Sequence, residues 1–226
     1  MDYSLSTPTV RTVRLSLAAR YNYVIFPVSY QDLKDVLTAM GFILPTRLLA
    51  GPVGITMEPM GTIARKDQLS VAFEPERQII GVAGTELSQV TNSFFELESQ
   101  VSKKIRPNLE GGTRFLEIIA QFEAETGRSP LQSIENVRRG SVVWDRFDKI
   151  LGVPVAPFNV RIVSKGVDPN QEEWLDISIE PMITKASQQY VINVVCRSQK
   201  RKAVIDFAET MEAKISAILG EMERAA

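Results

Sequence analysis

Histidine is missing from the 226-residue chain. Its absence excludes Ser-His-Asp and Cys-His catalysis, imidazole acid–base chemistry and nearly every zinc or iron site built with His ligands. Cysteine occurs once, at Cys196. One thiol closes neither an internal disulfide nor a cysteine-only metal site, and it fits a reducing, cytoplasmic setting. Excess charge is missing too, because 26 Lys+Arg against 27 Asp+Glu leave a net −1. No global positive field draws such a chain to nucleic acid. No apolar run approaches membrane-spanning length. The opening MDYSLSTPTVRTVR lacks the apolar centre of a signal peptide. Together these gaps lead us to expect no enzyme, no cofactor, no metal site and no membrane association.

What is present is the balance of a soluble globular protein, with 44% hydrophobic and 23% charged residues. Val13, Leu15, Leu17, Ala19, Tyr21, Tyr23 and Ile25 alternate, which predicts one long strand or two joined at a bulge. Ser29 offers an N-cap to a helix with Leu33, Val36, Leu37 and Met40 on its apolar face, and Gly41 offers its end. Three strands are then expected, in VGITMEP, DQLSVAFEP and RQIIGVAG, with EPER as a tight turn. Thr85 is read as the cap of a long helix bearing Leu87, Val90, Phe94, Leu97, Val101 and Ile105, closed at Pro107.

The order then recurs. Leu116, Ile118, Ala120 and Phe122 alternate on a strand. Ser129-Pro130, with Gln132, opens a helix whose face runs through Ile134, Val137, Ser141, Trp144, Phe147 and Leu151. Three strands follow, in APFNVRIVSKG, EWLDISIEP and QQYVINVVCRS. Ser198 is read as the cap of a last helix bearing Val204, Phe207, Met211, Ile215, Ile218 and Met222.

LSVAFEP (Leu69 to Pro75) aligns with LDISIEP (Leu175 to Pro181). Val90, Leu97, Glu98, Val101 and Ser102 align with Val204, Met211, Glu212, Ile215 and Ser216. These matches predict an internal repeat of about 105 residues, with a first unit at 1–106, a linker at 107–112 and a second unit at 113–226. The expected fold is α+β: a duplicated β-α-βββ-α unit forming one curved antiparallel sheet with helices packed on one face. ITMEPMGT (Ile55 to Thr62) and ISIEPMIT (Ile177 to Thr184) echo one another as strand ends, where glutamate faces solvent and proline stops the ladder.

The Glu-Pro strand end (Ile55 to Pro59), the strand Leu69 to Phe73 and IIGVAGTE (Ile79 to Glu86) leading into a helix resemble the repeat of the TATA-binding-protein family. The resemblance implies a similar tandem architecture. In that family the free sheet face binds the DNA minor groove with basic residues and intercalating phenylalanines. Here the corresponding strands carry Ser70, Glu74, Asp176, Ser178 and Glu180 instead, so the resemblance does not bring DNA binding with it.

Several groups invite chemistry. Glu58, Glu74 and Glu180 could converge as a carboxylate site or stand apart as solvated strand ends. The densest basic cluster, RSQKRK, holds Arg197, Ser198, Lys200, Arg201 and Lys202. It could contact an anion or nucleic acid, or be a solvated turn. Cys196 is in phase with Tyr190, Ile192 and Val194 and reads as a core thiol. GVAGTE lacks the lysine and the spacing of a phosphate loop. Met57, Met60 and Met182 could form a soft contact surface or fill gaps. From these features we expect a non-catalytic binding or assembly protein. Its open sheet face, including Ser70, Glu74, Asp176, Ser178 and Glu180, or an edge would contact another polypeptide, a second copy included. A nucleic-acid binder using residues 197–202 is one alternative. A carrier of a small apolar ligand near Phe115, Phe122 and Phe158 is another.

Overall fold

A computed structural model describes residues 8–22, 30–44, 62–74, 77–105, 107–137 and 142–224. Eight strands form one antiparallel sheet in the order β2-β3-β4-β1-β5-β8-β7-β6. The first half contributes β1 (Thr9–Tyr21), β2 (Thr62–Lys66), β3 (Leu69–Glu74) and β4 (Ile79–Gly84), and the second β5 (Thr113–Glu125), β6 (Val160–Val163), β7 (Trp174–Pro181) and β8 (Gln189–Ser198). β1 and β5 meet at the centre, with Leu15 opposite Ala120 and Leu17 opposite Ile118. Counted outward from that pair, the halves run β1-β4-β3-β2 and β5-β8-β7-β6.

The alternation in the sequence explains the faces. Leu15, Leu17, Ala19 and Tyr21 on β1 are buried, as are Leu116, Ile118, Ala120 and Phe122 on β5. Tyr190, Ile192 and Val194 on β8 complete that layer. Helices α2 (Leu87–Lys104) and α5 (Arg201–Arg224) pack against it, with α1 (Tyr30–Ala39) on α2 and α3 (Pro130–Val137) on α5. The opposite side of the sheet carries no described helix. The sheet is not strongly curled, against the curved sheet expected from the sequence. Curl is built with bulges, and the described register breaks at only three places, near Thr12, Arg20 and Thr62.

Several expectations hold in detail. Leu33, Val36, Leu37 and Met40 are buried on α1. The helix ends at Gly41, φ +79, where a side chain would be strained. Phe42 N donates to Leu37 O and Gly41 N to Thr38 O, each at 2.9 Å, the paired closure typical of a glycine-terminated helix. Of the residues aligned between the long helices, Val90, Leu97 and Val101 on α2 and Val204, Met211 and Ile215 on α5 are all buried.

Other expectations are corrected. Residue Thr85 does not cap α2; Glu86 holds that position, without a side-chain cap bond. The strand expected at VGITMEP and the cap at Ser29 lie outside the described residues, whereas Thr62–Lys66 forms a strand that sequence periodicity did not show. The helix expected to run to Leu151 is described as α3 and, further on, α4 (Val142–Leu151); residues 138–141 between them lie outside the described residues. Val137, Phe147 and Leu151, expected to be buried, are 49%, 41% and 60% exposed. The stretch read as a linker is packed in part, with Leu109 fully buried and its amide donating to Ser102 Oγ at 3.2 Å. No described helix is long and apolar enough to cross a membrane.

One corner of the core is polar. Ser133 on α3, Tyr190 on β8 and Glu223 in the last turn of α5 are buried, and among the described residues Glu223 Oε1 has no hydrogen-bond partner. Burial pushes the Glu223 carboxyl above its ordinary value, against the opposing pull of Thr126 and Arg128. A raised carboxyl favours the protonated native state, so its contribution is complete below the unfolded pKa of about 4.3 and fades as pH rises through the native value. Glu223→Gln should therefore flatten the stability profile above about pH 4 and stabilise the protein once the native carboxyl would have ionised, as measured by urea midpoints. The two faces of β5 give a second check. Ile118→Ala, at a buried position, should cost about 2–5 kcal/mol. Ile119→Ala, 48% exposed on the other face, should cost less than about 1 kcal/mol.

Candidate binding face

The helix-free face is read across the strands by following the register. One row runs Ser70, Ala83, Ser16, Ile119, Val195, Asp176. The next runs Ala72, Gly81, Ala18, Glu117, Arg197, Trp174. In the first half these rows are built of Ser, Ala and Gly. In the second half they carry larger side chains. The step between them leaves a hollow of about 450 Å³ over β3, β4 and β1, bounded by Phe115, Ile119 and Gln121 on β5.

Arg14 and Arg20 line the same hollow. Six residues of extended chain place them about 20 Å apart along β1. Among the described residues neither has a carboxylate within ion-pair reach, and Arg20 Nε is buried without a hydrogen-bond partner. Four other arginines of this face stand in ion pairs. Arg11 pairs with Glu123, Arg77 with Glu74, Arg161 with Asp176 and Arg197 with Glu117. The Phe115 ring lies 6.0 Å from the Arg20 guanidinium and 4.7 Å from that of Arg197, within range of a cation–π attraction.

All five strand residues singled out in the sequence lie on this face, since their neighbours Val71, Phe73, Ile177 and Ile179 point into the core. They do not form one site. Ser70 and Glu74 line the hollow, whereas Asp176, Ser178 and Glu180 stand on β7, five strands and about 24 Å away. Glu74 and Glu180 are separated in the same way, and Glu58 lies outside the described residues. Among the described residues no three acidic or cysteine side chains are grouped to hold a metal.

The basic cluster is engaged within the chain. Arg197 binds Glu117 and donates to the carbonyls of Pro169 and Gln171. Ser198 Oγ donates to Glu173 Oε1 at 3.0 Å, and Gln199 N donates to the same oxygen at 2.9 Å. Glu173 thus occupies the place before α5 where an anion would be favoured. Lys200 is exposed and its amide donates to Ser198 Oγ. Lys202 pairs with Asp206 one turn on.

Arg201 has a different role. It donates to both carboxylate oxygens of Glu98, to Oε2 at 2.6 Å, and to Thr113 Oγ1. Tyr21 Oη donates to Glu98 Oε1 at 2.8 Å. Glu98 is 5% exposed, so this group joins α2, α5, β1 and β5 through one buried carboxylate. Cys196 is partly buried, and burial pushes its thiol up to about 11, which leaves essentially no thiolate at neutral pH. Phe115 and Phe122 lie on opposite faces of β5 and Phe158 is 47% exposed, so the three do not line one cavity.

Sequence reading missed Arg14 and Arg20. The signal was the even-numbered positions of β1, opposite the alternating apolar ones. It also missed Glu98, whose place on the apolar stripe of α2 marks a charge needing a buried partner. Arg201→Ala should leave that carboxylate uncompensated and cost about 3 kcal/mol. Tyr21→Phe should cost about 1 kcal/mol, and Lys202→Ala less than about 0.5 kcal/mol; urea unfolding of the three variants checks the order.

No family model matches the chain, and no curated protein proved significantly similar to it.

Proposed function

We propose that this chain is a non-catalytic binding or assembly protein that offers its helix-free sheet face, or a sheet edge, to another polypeptide in the cytoplasm. The observation that carries the reading is the hollow floored by Ser16, Ala18, Ser70, Ala72, Gly81 and Ala83, with Arg14 and Arg20 beside it. Small residues let a partner's backbone come close to the sheet, and two guanidinium groups without a contact ion pair among the described residues suit a partner with acidic side chains. A face left bare of helices, with neutral residues at its centre, is a surface that proteins ordinarily cover.

We also infer that the two halves arose by duplication. The mirrored strand order and the matched buried stripes of α2 and α5 support this. Substitutions since then would have separated the faces. The first half kept small residues and acquired arginines without a contact ion pair among the described residues, while the second filled its face with paired charges.

Fluorescence anisotropy with a labelled extended peptide of alternating Ser and Glu tests the binding reading. Wild-type protein should bind it, and Arg14→Glu with Arg20→Glu should weaken binding at least tenfold. Equal affinity in the double variant would remove this hollow as the site. Tighter binding of a single-stranded oligonucleotide, with steep salt dependence, would replace the polypeptide with nucleic acid.

A further inference from the structure

The two edges of the sheet are finished differently. At the β2 edge Ile43 closes the ladder, its amide donating to Arg65 O at 2.7 Å and its carbonyl accepting from Arg65 N at 2.9 Å. Lys66 Nζ, at the end of that strand, donates to Met40 O at 2.8 Å. The β6 edge has no such cover among the described residues. Ile162 and Val163 are 36% and 45% exposed there, and Phe158 just before the strand is 47% exposed.

The phase of the backbone at β6 is fixed by its inner neighbour. Ser164 N donates to Leu175 O at 2.9 Å, and Ile162 stands opposite Ile177 in the same register. Antiparallel ladders alternate, so Val160, Ile162 and Ser164 direct their backbone groups to β7. Arg161 and Val163 direct theirs outward. Arg161 would normally guard such an edge by charge, but it is turned back onto Asp176, with bonds of 3.0 and 2.6 Å. The edge is therefore open, short and nearly neutral.

We propose that β6 pairs with β6 of a second copy about a two-fold axis, joining two sheets into one. This rests on the reading of the chain as an assembly protein and names the edge used. A two-fold perpendicular to the sheet keeps core face beside core face, which restricts the register to even steps. Centring on Arg161 would oppose two arginines. Centring on Ile162 sets Ile162 against the partner's Ile162, and Arg161 against the partner's Val163. The outward amides of Arg161 and Val163 then complete the ladder, and the central isoleucines form the close, non-hydrogen-bonded pair, with Cα atoms about 4.5 Å apart. An isologous contact of this kind closes at two copies. The net charge of −1 opposes it little.

Light scattering after size exclusion, at about 100 μM because four-residue strands bury little surface, should give the mass of a dimer. Val163→Pro removes an outward amide without touching the bonds to β7, and should yield a monomer with unchanged circular dichroism. Ile162→Cys should form an intermolecular disulfide under mild oxidation several times faster than Val163→Cys, since only the former faces its own copy at bridging distance. A monomeric wild type overturns this inference while leaving the peptide-binding test of the sheet face intact. A dimer that survives Val163→Pro, with no preference between the two cysteine variants, also overturns it, and assigns assembly to another surface. Should Val163→Pro fail to fold, the cysteine pair alone decides.

Discussion

The β1–β5 ladder is the contact on which the rest of the structure depends. It runs from Thr9 opposite Glu125 to Tyr21 opposite Thr113, and it turns two four-stranded halves into one sheet with two edges in place of four. Its core side is continuous apolar surface, which α2 and α5 cover from opposite halves. Packing alone would let those helices slide. The Glu98 carboxylate, held by Tyr21 and Arg201, fixes one helix to the other directly above the ladder. Burying a charge is unfavourable unless its partners are well placed, so this group favours one arrangement of the two halves over its neighbours.

Placing both long helices on one side decides what the other side can do. Each strand of the ladder has a core face set by leucine and isoleucine, and therefore an outer face set by the residues between them. In the first half those are Arg14, Ser16, Ala18 and Arg20. In the second they are Glu117, Ile119, Gln121 and Glu123. The hollow comes from this difference in side-chain size between the two halves of one continuous sheet. A shared polar-contact surface and a bare edge at β6 follow from the same architecture, because an open sheet with helices on one side leaves both exposed.

Much of the fold was legible in the sequence because its signals are local. Period-two alternation showed β1, β5 and β8, and the spacing of Leu33, Val36, Leu37 and Met40 with Gly41 showed α1 and its end. The order of elements showed two like halves. Where local signals are short or compete, the sequence was silent. β2 buries Thr62, Ile63 and Ala64 in succession, so it has no alternation to detect. The face of α5 was largely legible: Val204, Met211, Ile215 and Met222 are buried as expected, Phe207 and Ile218 pack at its margin, and Ala208 and Leu219 join it, because the sheet beneath sets the helix rotation. The basic cluster was legible as charge but not as structure. Its partners Glu98, Glu117 and Glu173 are distant in sequence, and only the fold brings them near. The reverse holds for Arg14 and Arg20, which look ordinary in a strand with several arginines and are distinguished only by lacking the carboxylate their neighbours have.

The central claim is that a polypeptide lies on the helix-free face of the first half. Methyl NMR of alanine- and isoleucine-labelled protein, titrated with an acidic extended peptide, tests it most directly. Ala18, Ala72, Ala83 and Ile119 should shift together and saturably, while Ile118, one residue away but on the core face, should stay in place. Shifts confined to methyls near the basic turn at 197–202, with the hollow unperturbed, would contradict the account.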